Sequence, residues 1–414
     1  MRSTLRGVSQ DPCATLHCYG TGPCVETRSP SGASSSPAVT SDGGTLEFLL
    51  TRECGGTTGR VLRMKLNKCI QWPARSRHSS LIIFDEMNIR YLLNIALGIC
   101  CWHGALPCPD LCNCYFDQEV ICNSIPISVF PAKGMPRNTT SLTIQYTNIT
   151  TITGEDLQAT PLLKELHLSN NELRNLSTDM LIEVPYLHTI DLTGNQLTHL
   201  PSRVFYHAPL DSIALKNNLL SRAEANWLPS NSNLTWIDLS GNRFQKIPAG
   251  ILQNLGRLIT LDLSENKLED IPAGVLDPLT LLERLSLQNN KLRSIDPLAF
   301  NATYALSYLF LQRNRLEKLS PTLFQHVKEL RYLDLSENHL RHLPTGALDP
   351  NVMFVDLGLN PWHCDAKMDY LWRWERKSIE VHHEETKAVC SLPAMLKGRP
   401  LASLSPDELG VKVE

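Results

Sequence analysis

From Thr139 to Leu359 the chain contains no cysteine, although its 414 residues include thirteen. Six of those lie immediately around the gap, at Cys108, Cys112, Cys114, Cys122, Cys364 and Cys390. Cysteines confined to the ends of a region point to disulfide-stapled caps, which need an oxidising compartment. Excess charge of one sign is missing too, with 39 Lys and Arg against 42 Asp and Glu. That balance leaves no electrostatic footprint for nucleic acid or an anionic membrane. No stretch reads G-x-S-x-G, H-E-x-x-H or a phosphate loop, and no nucleophile stands beside a placed base. The expectation is a protein that is not an enzyme, with no catalytic residues, cofactor or metal. A membrane span needs about 20 apolar residues, and the tail Ser391–Glu414 has no such run and no anchor signal.

What is present is a repeat. Residues Leu258-Ile-Thr-Leu261-Asp-Leu263-Ser-Glu-Asn266-Lys-Leu268-Glu-Asp-Ile271 read L-x-x-L-x-L-x-x-N-x-L-x-x-I, the signature of a leucine-rich repeat. The position of Leu261 is matched by Leu142, Leu166, Ile190, Ile213, Ile237, Leu285, Leu309, Leu333 and Val355, at steps of 22 to 24 residues. Leu261 and Leu263 alternate as in a strand buried on one side. The predicted fold class is an α/β leucine-rich repeat solenoid, or horseshoe. It has about ten 24-residue repeats, a concave parallel sheet and disulfide caps at both ends. Strands stacked ~4.8 Å apart would make that sheet roughly 45 Å long.

Two sets of residues follow from the period. Asn171, Asn195, Asn218, Asn242, Asn266, Asn290, Asn314, Asn338 and Asn360 recur after each apolar pair. An amide both donates and accepts, so these side chains are expected to satisfy backbone groups where the coil turns inside a dry core. Thr147 takes that position in the first repeat, as suits a terminal repeat merging into its cap. The outward residues form columns. One reads Glu165, Thr189, Ser212, Trp236, Thr260, Arg284, Tyr308, Tyr332, Phe354; the other reads His167, Asp191, Ala214, Asp238, Asp262, Ser286, Phe310, Asp334, Asp356. The aspartates are expected to serve solubility and local hydrogen bonds. Trp236, Tyr308, Phe310, Tyr332 and Phe354 are the candidate protein-binding residues. The last four sit on adjacent repeats beside acidic residues, as in a binding hot spot.

Five acceptor motifs for N-glycosylation begin at Asn138, Asn148, Asn175, Asn233 and Asn301, all outside the strand windows. Glycans there would leave the concave sheet bare. Upstream, Met87-Asn-Ile-Arg90 is a short basic start, Tyr91 to Trp102 is apolar, and Gly104 and Ala105 are small. That is the layout of a secretory signal peptide. The expected organisation is an upstream, non-globular extension over 1–86, a signal peptide over 87–105, a cysteine-rich cap over 106–136, repeats over 137–359, and a C-terminal cap with a short tail over 360–414. Cleavage near Ala105 would leave six cysteines, an even set. The run His382-His383-Glu384-Glu385 is expected to be a solvated charge run rather than a metal site.

Cys108-x3-Cys112-x-Cys114-x7-Cys122 could, as bare spacing, wrap zinc. Before a solenoid it resembles the N-terminal cap of extracellular leucine-rich repeat proteins. That resemblance implies the pairs Cys108–Cys114 and Cys112–Cys122. Leu359-Asn-Pro-Trp362-His-Cys364-Asp, followed by Met368, Leu371, Trp372 and Trp374 on a short amphipathic helix, resembles the C-terminal cap of the same group, with one bridge expected between Cys364 and Cys390. The order of Leu239-Ser-Gly-Asn-Arg243, Pro248-Ala-Gly-Ile-Leu252, Leu282-Glu-Arg-Leu285, Tyr308-Leu-Phe-Leu311 and Tyr370-Leu-Trp-Arg-Trp374 is similar to the leucine-rich alpha-2-glycoprotein family. The resemblance implies a secreted plasma-type glycoprotein without catalysis. Its implied partners are transforming growth factor-beta pathway components, whether receptor or growth factor, and cytochrome c. An extracellular matrix or innate-immune binding protein is the alternative.

Overall fold

Each repeat begins with three extended residues whose middle side chain is apolar and points inward, as at Thr260–Asp262, where Leu261 is fully buried. The computed structural model describes residues 108–115, 118–348, 352–377 and 387–412, with the backbone of four short strands nearer the start. Those four make two antiparallel pairs, Leu16–His17 with Val25–Glu26 and Leu49–Thr51 with Val61–Arg63, inside a unit spanning Met1–Leu92. Apart from these strands, the expected extension and signal peptide lie outside the described residues, as does the run His382–Glu385.

In the second unit, Leu93–Glu414, one twelve-stranded sheet runs from Asn113–Tyr115 to Phe354–Asp356. Its ten repeat strands, Ser141–Gln145 onward, pair in parallel and in strict register: Ile237 stands beside Leu261, Leu261 beside Leu285, Leu285 beside Leu309. This is the leucine-rich repeat solenoid. A 24-residue period puts the same side chain at the same height in successive coils, so the inward leucines stack into one continuous core. Behind them, buried Phe205, Phe300 and Phe324 fill the convex side, and the last two rings lie 5.9 Å apart.

The asparagine ladder is complete from Asn171 to Asn360, every member buried. Asn266 is representative. Its Nδ2 donates to the carbonyls of Leu239, Leu263 and Ser264 at 3.0, 3.1 and 3.0 Å, and its Oδ1 accepts from Phe244 N at 3.0 Å. One amide thus satisfies backbone groups on two coils in a place water does not reach. At the first coil, Asn171 Oδ1 accepts from both the amide and the hydroxyl of Thr147, at 3.0 and 2.6 Å. The residue before each asparagine is left-handed, at φ +53° to +56° for Asn217, Glu265, Asn289 and Arg313. Glycine stands there in two coils, at Gly194 and Gly241.

Both ends are stapled. Cys108–Cys114 and Cys112–Cys122 are bridged, and Glu119–Asn123 adds a parallel strand to Ser141–Gln145, covering the edge of the first coil. Cys364–Cys390 closes the other end, where Trp362–His363 pairs with Cys390–Leu392. A helix over Asp369–Lys377 lies on the last coil. Met368, Leu371 and Trp372 are buried, but Trp374 is only half-buried, and Glu375 takes the next core-facing position. The reason is helical spacing: 368, 371, 372 and 375 share one face, whereas 374 lies beside it. Burial pushes the Glu375 carboxyl up to about 7, opposed by the Ala388 amide that donates to its Oε1 at 2.7 Å.

Candidate functional site: the concave sheet

Parallel register decides which outward side chains become neighbours. Arg284 stands beside Tyr308, Tyr308 beside Tyr332, and Tyr332 beside Phe354; one column over, Ser286 stands beside Phe310 and Phe310 beside Asp334. Strands this close place long side chains within contact distance of their cross-strand and diagonal partners. The rings accordingly form a chain. Tyr332 and Phe354 stack at 4.5 Å with planes 9° apart, Phe310 meets Tyr332 at 5.0 Å, and Tyr308 meets Tyr332 at 6.5 Å. Tyr308 is 40% exposed, while Phe310, Tyr332 and Phe354 are half-buried against one another.

Trp236 does not join them. Thr260 and Arg284 lie between it and Tyr308 in the same column, so three strand spacings, about 14 Å, separate the two aromatics. In its place the structure adds Arg284, which sequence reading left aside. Its guanidinium lies 4.4 Å from the Phe310 ring centre and 5.9 Å from that of Tyr308, both cation–π geometries. The available signal was its column position next to Tyr308. The site therefore consists of four rings with a cation at one end.

The aspartates of the sheet are occupied elsewhere. Asp191, Asp238, Asp262, Asp334 and Asp356 each accept, through Oδ1, from the backbone amide two residues on, at 2.8 to 3.0 Å. Each thereby shapes the turn that follows its strand. Burial raises the carboxyls of Asp238, Asp334 and Asp356 above the usual carboxylate range, against the pull of those hydrogen bonds. The Tyr332 hydroxyl is raised as well, by burial first and then by the charges of Asp334 and Asp356. The rings thus border on negative charge.

The five sequon asparagines, Asn138, Asn148, Asn175, Asn233 and Asn301, are all exposed, and none lies in a strand of the concave sheet. Asn233 shares its Oδ1 with an Arg257 guanidinium nitrogen at 3.0 Å. Elsewhere, at the C-terminal cap, the fold gathers His342, His363 and Asp365, which sequence reading did not connect. Among the described residues, no helix is long and apolar enough to cross a membrane.

The geometry agrees with the comparisons. The family described as leucine rich repeat matches residues 137–197, 185–244, 232–292 and 280–340. Phospholipase A2 inhibitor beta of Elaphe climacophora is 39% identical over 62 residues, 15% of this chain and 18% of that protein. Podocan of Mus musculus is 32% identical over 108 residues, 26% of this chain and 17% of its own, and Tsukushi of Gallus gallus is 29% identical over 140, 31% and 37%. The matches thus span well under half of these relatives' own length. A chain of the octameric complex of Latrophilin 3, Unc5D and FLRT2 superposes with a TM-score of 0.59 at 22% identity, covering 74% of this chain and all of that one. Its likeness shows the fold. With register, ladder and capped ends in place, the repeat region over residues 137–340 matches the leucine-rich repeat family and is similar to extracellular-type members such as Podocan and Tsukushi.

Proposed function

We propose that this chain is a secreted glycoprotein that binds another protein through the C-terminal half of its concave sheet. The observation that carries the reading is the ring chain Tyr308–Phe310–Tyr332–Phe354, bordered by Arg284 and by Asp334 and Asp356. Rigid aromatic surface of this kind loses little side-chain entropy when a partner covers it and gives large apolar contact in return. A partner with an apolar anchor and a neighbouring cation suits it. The anchor would lie on the rings and the cation beside the acidic rim.

Secretion is supported by the bridged cysteines at both ends, the signal-like layout over 87–105 and the five exposed acceptor asparagines. Protein partners are supported by relatives and neighbours: one is named an inhibitor of phospholipase A2, and another belongs to a complex of several proteins. The narrower reading, a modulator of extracellular signalling that engages a transforming growth factor-beta pathway receptor or growth factor, or cytochrome c, rests on the resemblance to leucine-rich alpha-2-glycoprotein. The second reading, an extracellular matrix or innate-immune binding protein, places the same rings against an immobile partner.

The test uses protein secreted from animal cells and mapped by mass spectrometry. A mature start between 102 and 108 and occupied sequons are expected. The protein is then passed over immobilised growth factors, receptors, cytochrome c, collagen and glycosaminoglycan. Tyr308→Ala with Tyr332→Ala should weaken the captured partner about 30-fold, the scale of a central hot spot. Unchanged affinity with normal secretion would move the site off the sheet.

A further inference from the structure

The C-terminal cap holds a group of side chains that the concave site does not use. His342, His363 and Asp365 each present one ligand atom, and the three atoms all lie within 4.8 Å of one another. His342 Nε2 is 3.1 Å from Asp365 Oδ1, and the two imidazole rings are 5.6 Å apart. We propose that these three residues bind a zinc-class divalent ion, which fastens the last repeat to its cap.

The placement is built by the backbone. His363 ends the strand Trp362–His363, and a tight turn centred on Cys364 brings Asp365 round beside it, while Cys364 itself bridges Cys390. Across from them, the His363 amide donates to the carbonyl of Arg341 at 3.0 Å, which fixes the spacing to His342. The Asp365 amide donates to the His363 carbonyl at 3.0 Å, and Asp365 Oδ1 also accepts from Lys367 N at 2.9 Å. Two ligands on the cap and one on the repeat are therefore held by hydrogen bonds and a disulfide. The pair His342–Asp365 is about one third exposed, open enough for an ion to enter.

The ligand chemistry selects the ion. Zinc takes imidazole nitrogen and carboxylate oxygen at about 2.0–2.2 Å, with neighbouring ligands about 3.4 Å apart in a tetrahedron. Small side-chain rotations close the present spacing to that value, and the fourth position is left for water. Calcium requires six or more oxygens and magnesium an octahedral oxygen shell, which two imidazoles and one carboxylate do not supply. Facing a carboxylate oxygen, His342 Nε2 carries a proton and donates it. To ligate the ion the ring takes the other tautomer, with its proton on Nδ1 and the Nε2 lone pair on the metal.

The test is calorimetric titration of zinc into untagged, chelator-stripped full-length protein, with calcium and magnesium as controls. A single zinc per chain is expected, with no uptake of the other two. His342→Ala and His363→Ala should each weaken zinc at least about tenfold. Asp365→Asn keeps an acceptor for the Lys367 amide and should weaken it too, with circular dichroism and the disulfide map unchanged. The double substitution His382→Ala with His383→Ala should bind as the parent does. Zinc should also raise the melting temperature of the parent and not of His363→Ala. The proposal is overturned by absence of stoichiometric zinc, by full affinity in all three cluster variants, or by loss only in the His382/His383 variant.

Discussion

From Ser141 to Asp262 the outward residues of the concave sheet are small, polar or charged, with Trp236 the lone aromatic. From Arg284 to Asp356 they include a cation and four rings in contact, set among Ser286, Asp334 and Asp356. Nothing in the backbone marks the change, because both halves keep the same parallel register, the same buried apolar positions and the same asparagine ladder. A solenoid separates two tasks by direction: inward residues specify the coil, and outward residues are free to differ from one repeat to the next. The ring chain is thus a choice made on the sheet and not a requirement of folding.

The largest expected effect checks that the halves really share one scaffold. Asn195 and Asn314 make matching sets of bonds: Oδ1 accepts from Leu173 N or Leu292 N at 3.0 Å, and Nδ2 reaches three carbonyls at 2.9 to 3.4 Å. Asn195→Ala and Asn314→Ala should each lower unfolding free energy by about 3 kcal/mol, since each leaves buried backbone groups unpaired. Denaturant melts of the two variants should superpose. A much smaller loss at one of them would show that the halves are held differently.

Function should divide where stability does not. The Tyr308→Ala/Tyr332→Ala pair is expected to lose about 2 kcal/mol of partner affinity, while Glu165→Ala with Thr189→Ala, the same column in the other half, should change it by under about 0.5 kcal/mol. Equal losses would spread the interface along the whole sheet. Arg284→Gln comes next. Removing the guanidinium from the faces of Phe310 and Tyr308 should lower thermal stability by the equivalent of about 0.5–1 kcal/mol, and Thr260→Gln one strand away should do nothing measurable.

How much of this was legible follows from sequence distance. Leu261, Asn266 and their counterparts could be placed because a fixed period turns sequence position into height along the core. The meeting of Tyr308, Tyr332 and Phe354 was legible for the same reason. Arg284 was harder, since its value depends on the rotamer that carries its guanidinium over the Phe310 ring, which no spacing records. Trp236 looked like a member by residue type and stands apart by register. Glu375 was passed over because a carboxylate is not expected in a core, and only the helix face it shares with Leu371 and Trp372 puts it there. His342 and Asp365 lie on different elements, and their approach depends on how the cap folds back onto the last coil.

The smallest effect sharpens the comparison furthest, because it concerns a residue type common to both halves. Asp238 and Asp334 each accept from the amide two residues on, at 2.8 and 3.0 Å, and burial raises both carboxyls. A carboxyl whose folded pKa is raised favours the fold fully below its unfolded value, near 3.8, and loses that contribution as pH rises through the folded value. At neutral pH the buried charge is therefore a liability. Asp238→Asn and Asp334→Asn keep an acceptor for the turn amide and remove the charge, so both should be slightly more stable than the parent at pH 7. That margin should shrink to nothing as pH falls towards 3.8. Thermal melts across the acid range measure it. If the two variants behave alike in stability but only Asp334→Asn weakens the partner, then Asp334 meets a cation on that partner, and the interface includes the acidic rim of the rings. If neither weakens it, the rings carry the binding and the aspartates belong to the turns alone.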